Sequence, residues 1–121
     1  MIIFYRIWII AVFLLSGCNY FAQLDVKHYI PPVFGREDFG CHYAVISTPS
    51  ITPFNVTITD GTGTLINTVA VSAAASVSVP IACGSSSEFL VTEAELNTIR
   101  TDKGLVLEAP EAFYVNFRVF A

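Results

Sequence analysis

From Phe113 onward the chain alternates without a break. Phe113, Val115, Phe117 and Val119 are apolar, and Tyr114, Asn116 and Arg118 stand between them. A period of two is the pitch of a pleated strand with one buried face. A helix burying one face needs apolar residues three and four apart, and this segment does not supply them. The same pattern returns in Phe54, Val56 and Ile58, set between Asn55, Thr57 and Thr59. It returns again in Val77, Val79 and Ile81, set between Ser76, Ser78 and Pro80.

Between these runs the chain carries turn chemistry. Asp60-Gly61-Thr62-Gly63 reads as a hairpin turn, because glycine accepts a positive φ, and Leu65 to Val71 as the returning strand. Cys41 to Ser47 is a largely apolar strand, Phe89 to Val91 a short one, and Gly84 to Ser87 a loop. Leu105 to Glu108 is a further strand, joined to the Phe113 strand by a tight connection at Ala109-Pro110-Glu111-Ala112. Pro80 has no N–H for a ladder, so its strand lies at an edge or ends there. Thr92-Glu93-Ala94-Glu95 has the form of a capping box and predicts one short helix over about residues 93–100. Lys103-Gly104 then turns the chain out of it. About seven short strands with frequent turns predict an all-β fold, an antiparallel immunoglobulin-like β-sandwich with one short helix.

The N-terminus is of a different kind. Arg6 precedes a wholly apolar run from Ile7 to Leu15. That run is too short to span a bilayer, which takes roughly 20 apolar residues, and it has the length and order of a secretory signal. Two ends of the leader are open. Leu15-Ser16-Gly17-Cys18 fits a lipoprotein box, with Cys18 as the lipidated residue. Cleavage after Ala22 is the other, and leaves Gln23 first. The division is therefore a signal peptide at 1–22, an extended lead-in at 23–40 and a β-sandwich at 41–121. Pro31-Pro32 makes the lead-in extended.

Export bears on the cysteines. Beyond the leader only Cys41 and Cys83 remain, and an even number in an oxidising compartment predicts one disulfide. Two buried free thiols are the alternative. No Cys/His spacing suggests zinc.

Charge narrows the partners. Ten acidic residues stand against six basic ones, giving a net charge of −4. Nucleic acid needs clustered Lys and Arg, and so does an anionic membrane surface, so neither partner is expected. No nucleophile motif of the Gly-x-Ser-x-Gly kind occurs, and His28 and His42 fall in separate segments. Neither a catalytic residue, a metal, a cofactor nor a small-molecule substrate is expected. Arg118 and Glu108 are expected to pair across neighbouring strands.

Several segments, taken in order, carry a resemblance. They are Lys27-His28-Tyr29-Ile30-Pro31-Pro32, Ile46-Ser47-Thr48-Pro49, Lys103-Gly104 leading to Leu107-Glu108-Ala109, and Phe113-Tyr114-Val115-Asn116-Phe117-Arg118. Together they resemble the IgGFc-binding protein N-terminal domain family of large secreted bacterial proteins. The residues that carry the likeness are His28, Tyr29, Pro31, Pro32, Gly104, Glu108, Tyr114, Asn116 and Arg118. The resemblance implies a non-catalytic extracellular module at the front of an adhesin-like surface protein, with a protein or glycan as its ligand. It also implies a leader that ends just before the His-Tyr-Ile-Pro-Pro segment, which favours cleavage near Ala22. The family pattern runs on beyond the Asn-Phe-Arg strand, so the domain is expected to be incomplete at its C-terminus. The alternative function is a small outer-membrane lipoprotein, lipidated at Cys18, with a structural role.

Overall fold

The computed structural model describes residues 23–34, 41–81, 83 and 88–119. The leader at 1–22, with Cys18 and the cleavage site after Ala22, lies outside these residues. Among them the chain forms eight strands: β1 (Asp25–Ile30), β2 (Val33–Phe34), β3 (His42–Ser47), β4 (Phe54–Asp60), β5 (Leu65–Val71), β6 (Val77–Ile81), β7 (Leu90–Val91) and β8 (Leu105–Arg118). Six of them make an antiparallel, nearly barrel-shaped sheet in the order β5-β4-β8-β3-β6, with β1 also on β8. β2 and β7 form a separate parallel pair.

The alternation seen in the sequence becomes burial. Phe54, Val56 and Ile58 of β4 point inward, and Asn55 and Thr57 face solvent. Ala44 and Ile46 of β3, Val79 and Ile81 of β6, and Leu105, Leu107 and Phe113 of β8 join them in one core. Phe89 fills it from the segment before β7 and is fully buried. The hairpin between β4 and β5 turns where expected. One Asp60 carboxylate oxygen accepts from the amides of Thr62 and Thr64, at 2.8 Å each, and from the Thr62 hydroxyl at 2.6 Å.

Three expectations change. The tight connection at 109–112 is no connection, because Leu105–Arg118 is one strand. Residues 105–108 pair with β4 on one flank and β1 on the other, while residues 114–118 pair with β3. Pro110 falls in the stretch between, where no ladder partner asks for its missing N–H. Glu108 and Arg118 therefore lie on the same strand and cannot be cross-strand partners. Glu108 instead meets Lys27 at 3.1 Å, and Arg118 stands opposite Tyr43.

The second change is in the lead-in, which contributes β1 and β2. β1 lies on the outside of β8 and buries no residue fully, so it carries no apolar alternation to read. The third is the helix. Only a single 3-10 turn, Glu93–Glu95, forms. The box does cap it, since Glu95 accepts from the Thr92 amide at 2.8 Å. Asn97, Thr98, Ile99 and Thr101 then follow, all poor helix formers with no buried face to compensate.

Where β8 passes between partners, four of its residues (109–112) stand against Val26 alone on β1. This is a wide bulge, and its carbonyls need partners. The Thr48 hydroxyl donates to the Ala112 carbonyl at 2.9 Å. The His28 ring Nε2 reaches the Phe113 carbonyl at 2.8 Å, and the ring stacks edge-on against Phe113 with centroids 4.6 Å apart.

The Cys41–Cys83 disulfide forms, with Cα atoms 4.0 Å apart. It sits just outside the His42–Ile81 register pair and so clamps the edge strand β6 to β3.

Phe113 is the core residue nearest the bulge and is fully buried. Truncation of a buried phenylalanine to alanine costs about 3–5 kcal/mol. Phe113→Ala is expected to lower unfolding free energy in urea by that amount. The exposed neighbour change Tyr114→Ala is expected to cost far less. Equal losses at both positions would contradict the assigned facing of β8.

Candidate binding site

Two segments remote in sequence meet at one end of the barrel. β1 runs out through Ile30 into Pro31-Pro32, and β8 begins at Leu105 directly after Lys103-Gly104. Gly104 makes this meeting possible. Its φ is +104°, and a Cβ there would stand 2.8 Å from the Ile30 carbonyl oxygen and 3.2 Å from the Pro32 ring. Gly61 of the β4–β5 turn closes the third side. A Cβ on it would strike the backbone of residues 101–103 at 2.8–2.9 Å. Only glycine fits either contact.

The three segments enclose an open cleft of about 330 Å³. Ile30, Pro31, Leu105 and Val106 give it apolar walls, with Tyr29, Thr101 and Lys103 at its margins. Tyr29 is 70% exposed. The Lys27 ammonium lies 5.6 Å from its ring centroid. The volume is at the small end for a ligand site, enough for one ring or one apolar side chain.

An ionic cluster backs the cleft. Glu95 is its centre. Besides the Thr92 amide, it takes the Thr92 hydroxyl at 3.0 Å, the Lys103 ammonium at 3.0 Å and the Arg100 guanidinium. Lys103 also donates to the Leu90 carbonyl at 2.8 Å. Arg100 forks onto Asp102, its Nε 2.8 Å from one carboxylate oxygen. The Thr92 amide, followed by Lys103, holds the Glu95 carboxyl down at about 2. The Arg100 hydrogen bonds hold Asp102 at about 2 as well. Across the β1–β8 ladder, the hydrogen bond to Glu108 raises Lys27. The Lys103 charge is thus matched within the wall, and what the cleft presents is mainly apolar.

The residues singled out in the sequence divide into two groups. Tyr29, Pro31 and Gly104 line the cleft, and Pro32 abuts Gly104. His28 and Glu108 belong to the adjoining β1–β8 ladder. Tyr114, Asn116 and Arg118 lie on the other half of β8, exposed, opposite Ser47, Val45 and Tyr43. His28 and His42 do not meet at a common site. His28 bonds the bulge, while His42 is buried with its ring 6.3 Å from Phe89 and 6.4 Å from Phe117. Among the described residues no group of His, Cys, Asp or Glu is placed to hold a metal ion. The Glu95 hub was not anticipated beyond its capping role. Arg100 and Lys103 lie five and eight residues on, at spacings no helix or strand rule brings together.

No protein-family model, no curated protein and no solved structure matches the chain.

The Glu95 carboxyl has a sharp signature in acid. Its value falls from the ordinary 4.5 to about 2 on folding. Its stabilisation is therefore complete above pH 4.5 and is lost as pH falls toward 2. Glu95→Gln is expected to melt below the wild type at pH 7. The gap is expected to narrow from pH 4.5 downward and to close below about pH 2, and Asp102 remains in both proteins. A gap of the same size at pH 2.5 and pH 7 would show that the carboxylate charge is not what matters.

Proposed function

We propose that this chain is a non-catalytic extracellular module, exported by its own leader and carried on an adhesin-like surface protein. The Cys41–Cys83 bridge carries the reading. Such a bridge persists in an oxidising compartment and is rare where glutathione keeps thiols reduced. The apolar run from Ile7 to Leu15 supports the same destination. In this reading the two halves of the six-stranded sheet, joined through β8, correspond to the two layers of a small immunoglobulin-like sandwich. The cleft beside Tyr29 holds one apolar or ring-shaped group of a protein or glycan ligand. The likeness of the His28 to Pro32 and Phe113 to Arg118 segments to the IgGFc-binding protein N-terminal domain family points the same way.

A second reading keeps its own observation. Leu15-Ser16-Gly17-Cys18 fits the lipoprotein box, and in that case Cys18 carries lipid and holds a structural module on the outer membrane.

One experiment separates the outcomes. The full chain is expressed in a diderm bacterium grown with a fatty-acid analogue, fractionated, and treated with a maleimide before and after reduction. The proposal predicts an exported, unlabelled protein whose Cys41 and Cys83 react only after reduction. A sequence separation of 42 makes the bridge worth about 4 kcal/mol, so reductant should also lower the melting temperature clearly. Analogue on the wild type, absent from Cys18→Ser, would select the lipoprotein. A cytosolic chain with both thiols open would overturn export altogether.

A further inference from the structure

We infer that the group held in the cleft belongs to a cationic peptide segment, one apolar side chain flanked by Lys or Arg residues. This rests on the reading of the cleft as a binding site. It deepens that reading by choosing peptide over glycan and by giving the ligand its charge.

The choice of peptide follows from what the walls offer. Ile30, Pro31, Leu105 and Val106 are apolar, and the volume of about 330 Å³ takes one side chain. A sugar ring carries hydroxyls, which need partners to replace the water they lose. Among the lining residues Lys103 alone is charged. Its ammonium is engaged by Glu95 at 3.0 Å and by the Leu90 carbonyl at 2.8 Å, so it serves the wall rather than a ligand.

The ligand's charge follows from what surrounds the walls. Asp60 stands opposite Leu105 in the β4–β8 ladder. The Glu88 carbonyl accepts from the Gly104 amide at 2.9 Å, so residue 88 adjoins the cleft. Asp102 lies between the lining residues Thr101 and Lys103. Glu93 and Glu95 belong to the 3-10 turn that holds Lys103. Against these five carboxylates stand two cations, Arg100 and Lys103, and both are spent on Glu95 and Asp102. Lys27, beside Tyr29, is spent on Glu108. Asp60, Glu88 and Glu93 are left without an ion-pair partner among the described residues. Asp60 keeps its charge, because the Thr62 hydroxyl holds its carboxyl below the ordinary range. The other described charges, Asp25, Glu111 and Arg118, belong to the start of β1 and the later part of β8. Most of the net negative charge is therefore gathered around an apolar cleft. Such a field draws in cations and turns away anionic ligands, while the apolar side chain provides the hold.

The test selects a random peptide library displayed on phage against the full chain in a mild non-ionic detergent. An array of neutral and acidic glycans is probed with the same protein. Thr101→Trp, at an exposed lining position, fills the cleft, and Tyr29→Ala removes its exposed ring. Glu88→Gln with Glu93→Gln removes two open charges and leaves the cleft as it is. Circular dichroism checks that each variant keeps its fold. The expected selection is of peptides with an apolar or aromatic residue between Lys or Arg residues. A synthetic copy of such a peptide is expected to bind the wild type, to bind Tyr29→Ala more weakly and to lose binding to Thr101→Trp. In the double Gln variant its affinity is expected to fall roughly tenfold at low salt, with the difference closing at high salt. Selected peptides that are apolar but uncharged or acidic would overturn the inference and leave the cleft as a binding site. A glycan that binds the wild type and not Thr101→Trp would do the same. Peptides that bind Thr101→Trp as well as the wild type, or no ligand of either kind, would overturn the inference together with the reading of the cleft on which it rests.

Discussion

The structure depends on one strand serving two sets of partners. β8 is fourteen residues long and touches β1, β3 and β4. Without it, the β4–β5 hairpin and the β3–β6 pair share no ladder. A strand can change partners only if its hydrogen-bond ladder is interrupted, and an interruption leaves backbone groups to be satisfied. The chain solves this locally. Pro110 removes a donor where none is wanted, Thr48 and His28 supply donors to Ala112 and Phe113, and Phe113 anchors the far side in the core. Thr48 and His28 come from segments far apart in sequence, so the crossing also ties the N-terminal strand to the body.

That arrangement explains what the sequence did and did not disclose. β4, β5 and β6 were readable because each has one clear apolar face or a clear turn beside it. Phe54, Val56 and Ile58 need no tertiary knowledge to be read as strand. β8 was read as two strands because Pro110 between two alternating runs is the ordinary mark of a connection. The proline instead marks a change of partner, which only the fold reveals. β1 was missed because Lys27, His28 and Tyr29 stabilise by pairing and by side-chain bonds rather than by burial. The capping box was real, yet a cap starts a helix without sustaining one. What followed Glu95 lacked both propensity and an apolar stripe.

The cleft was hidden for a related reason. Its walls come from the exit of β1, the β4–β5 turn and the approach to β8, and no local pattern links them. Tyr29, Pro31 and Gly104 had been singled out separately. Gly104 and Gly61 show why they converge, since each permits a backbone approach that any side chain forbids. The Glu95 cluster then matches the Lys103 charge beside the cleft and leaves an apolar site under an exposed tyrosine. Such a site has room for one ring or apolar group, which is what the proposed binding role asks of it.

Amide hydrogen exchange along β8 tests this account most directly. One strand shared between two sets of partners predicts slow exchange in residues 105–108 and again in 114–118. Fast exchange is predicted at Ala109, Glu111 and Ala112, and both protected blocks should open together as denaturant is added. Blocks that open at separate denaturant concentrations would contradict the account, because they would show two independent strands joined by a loop.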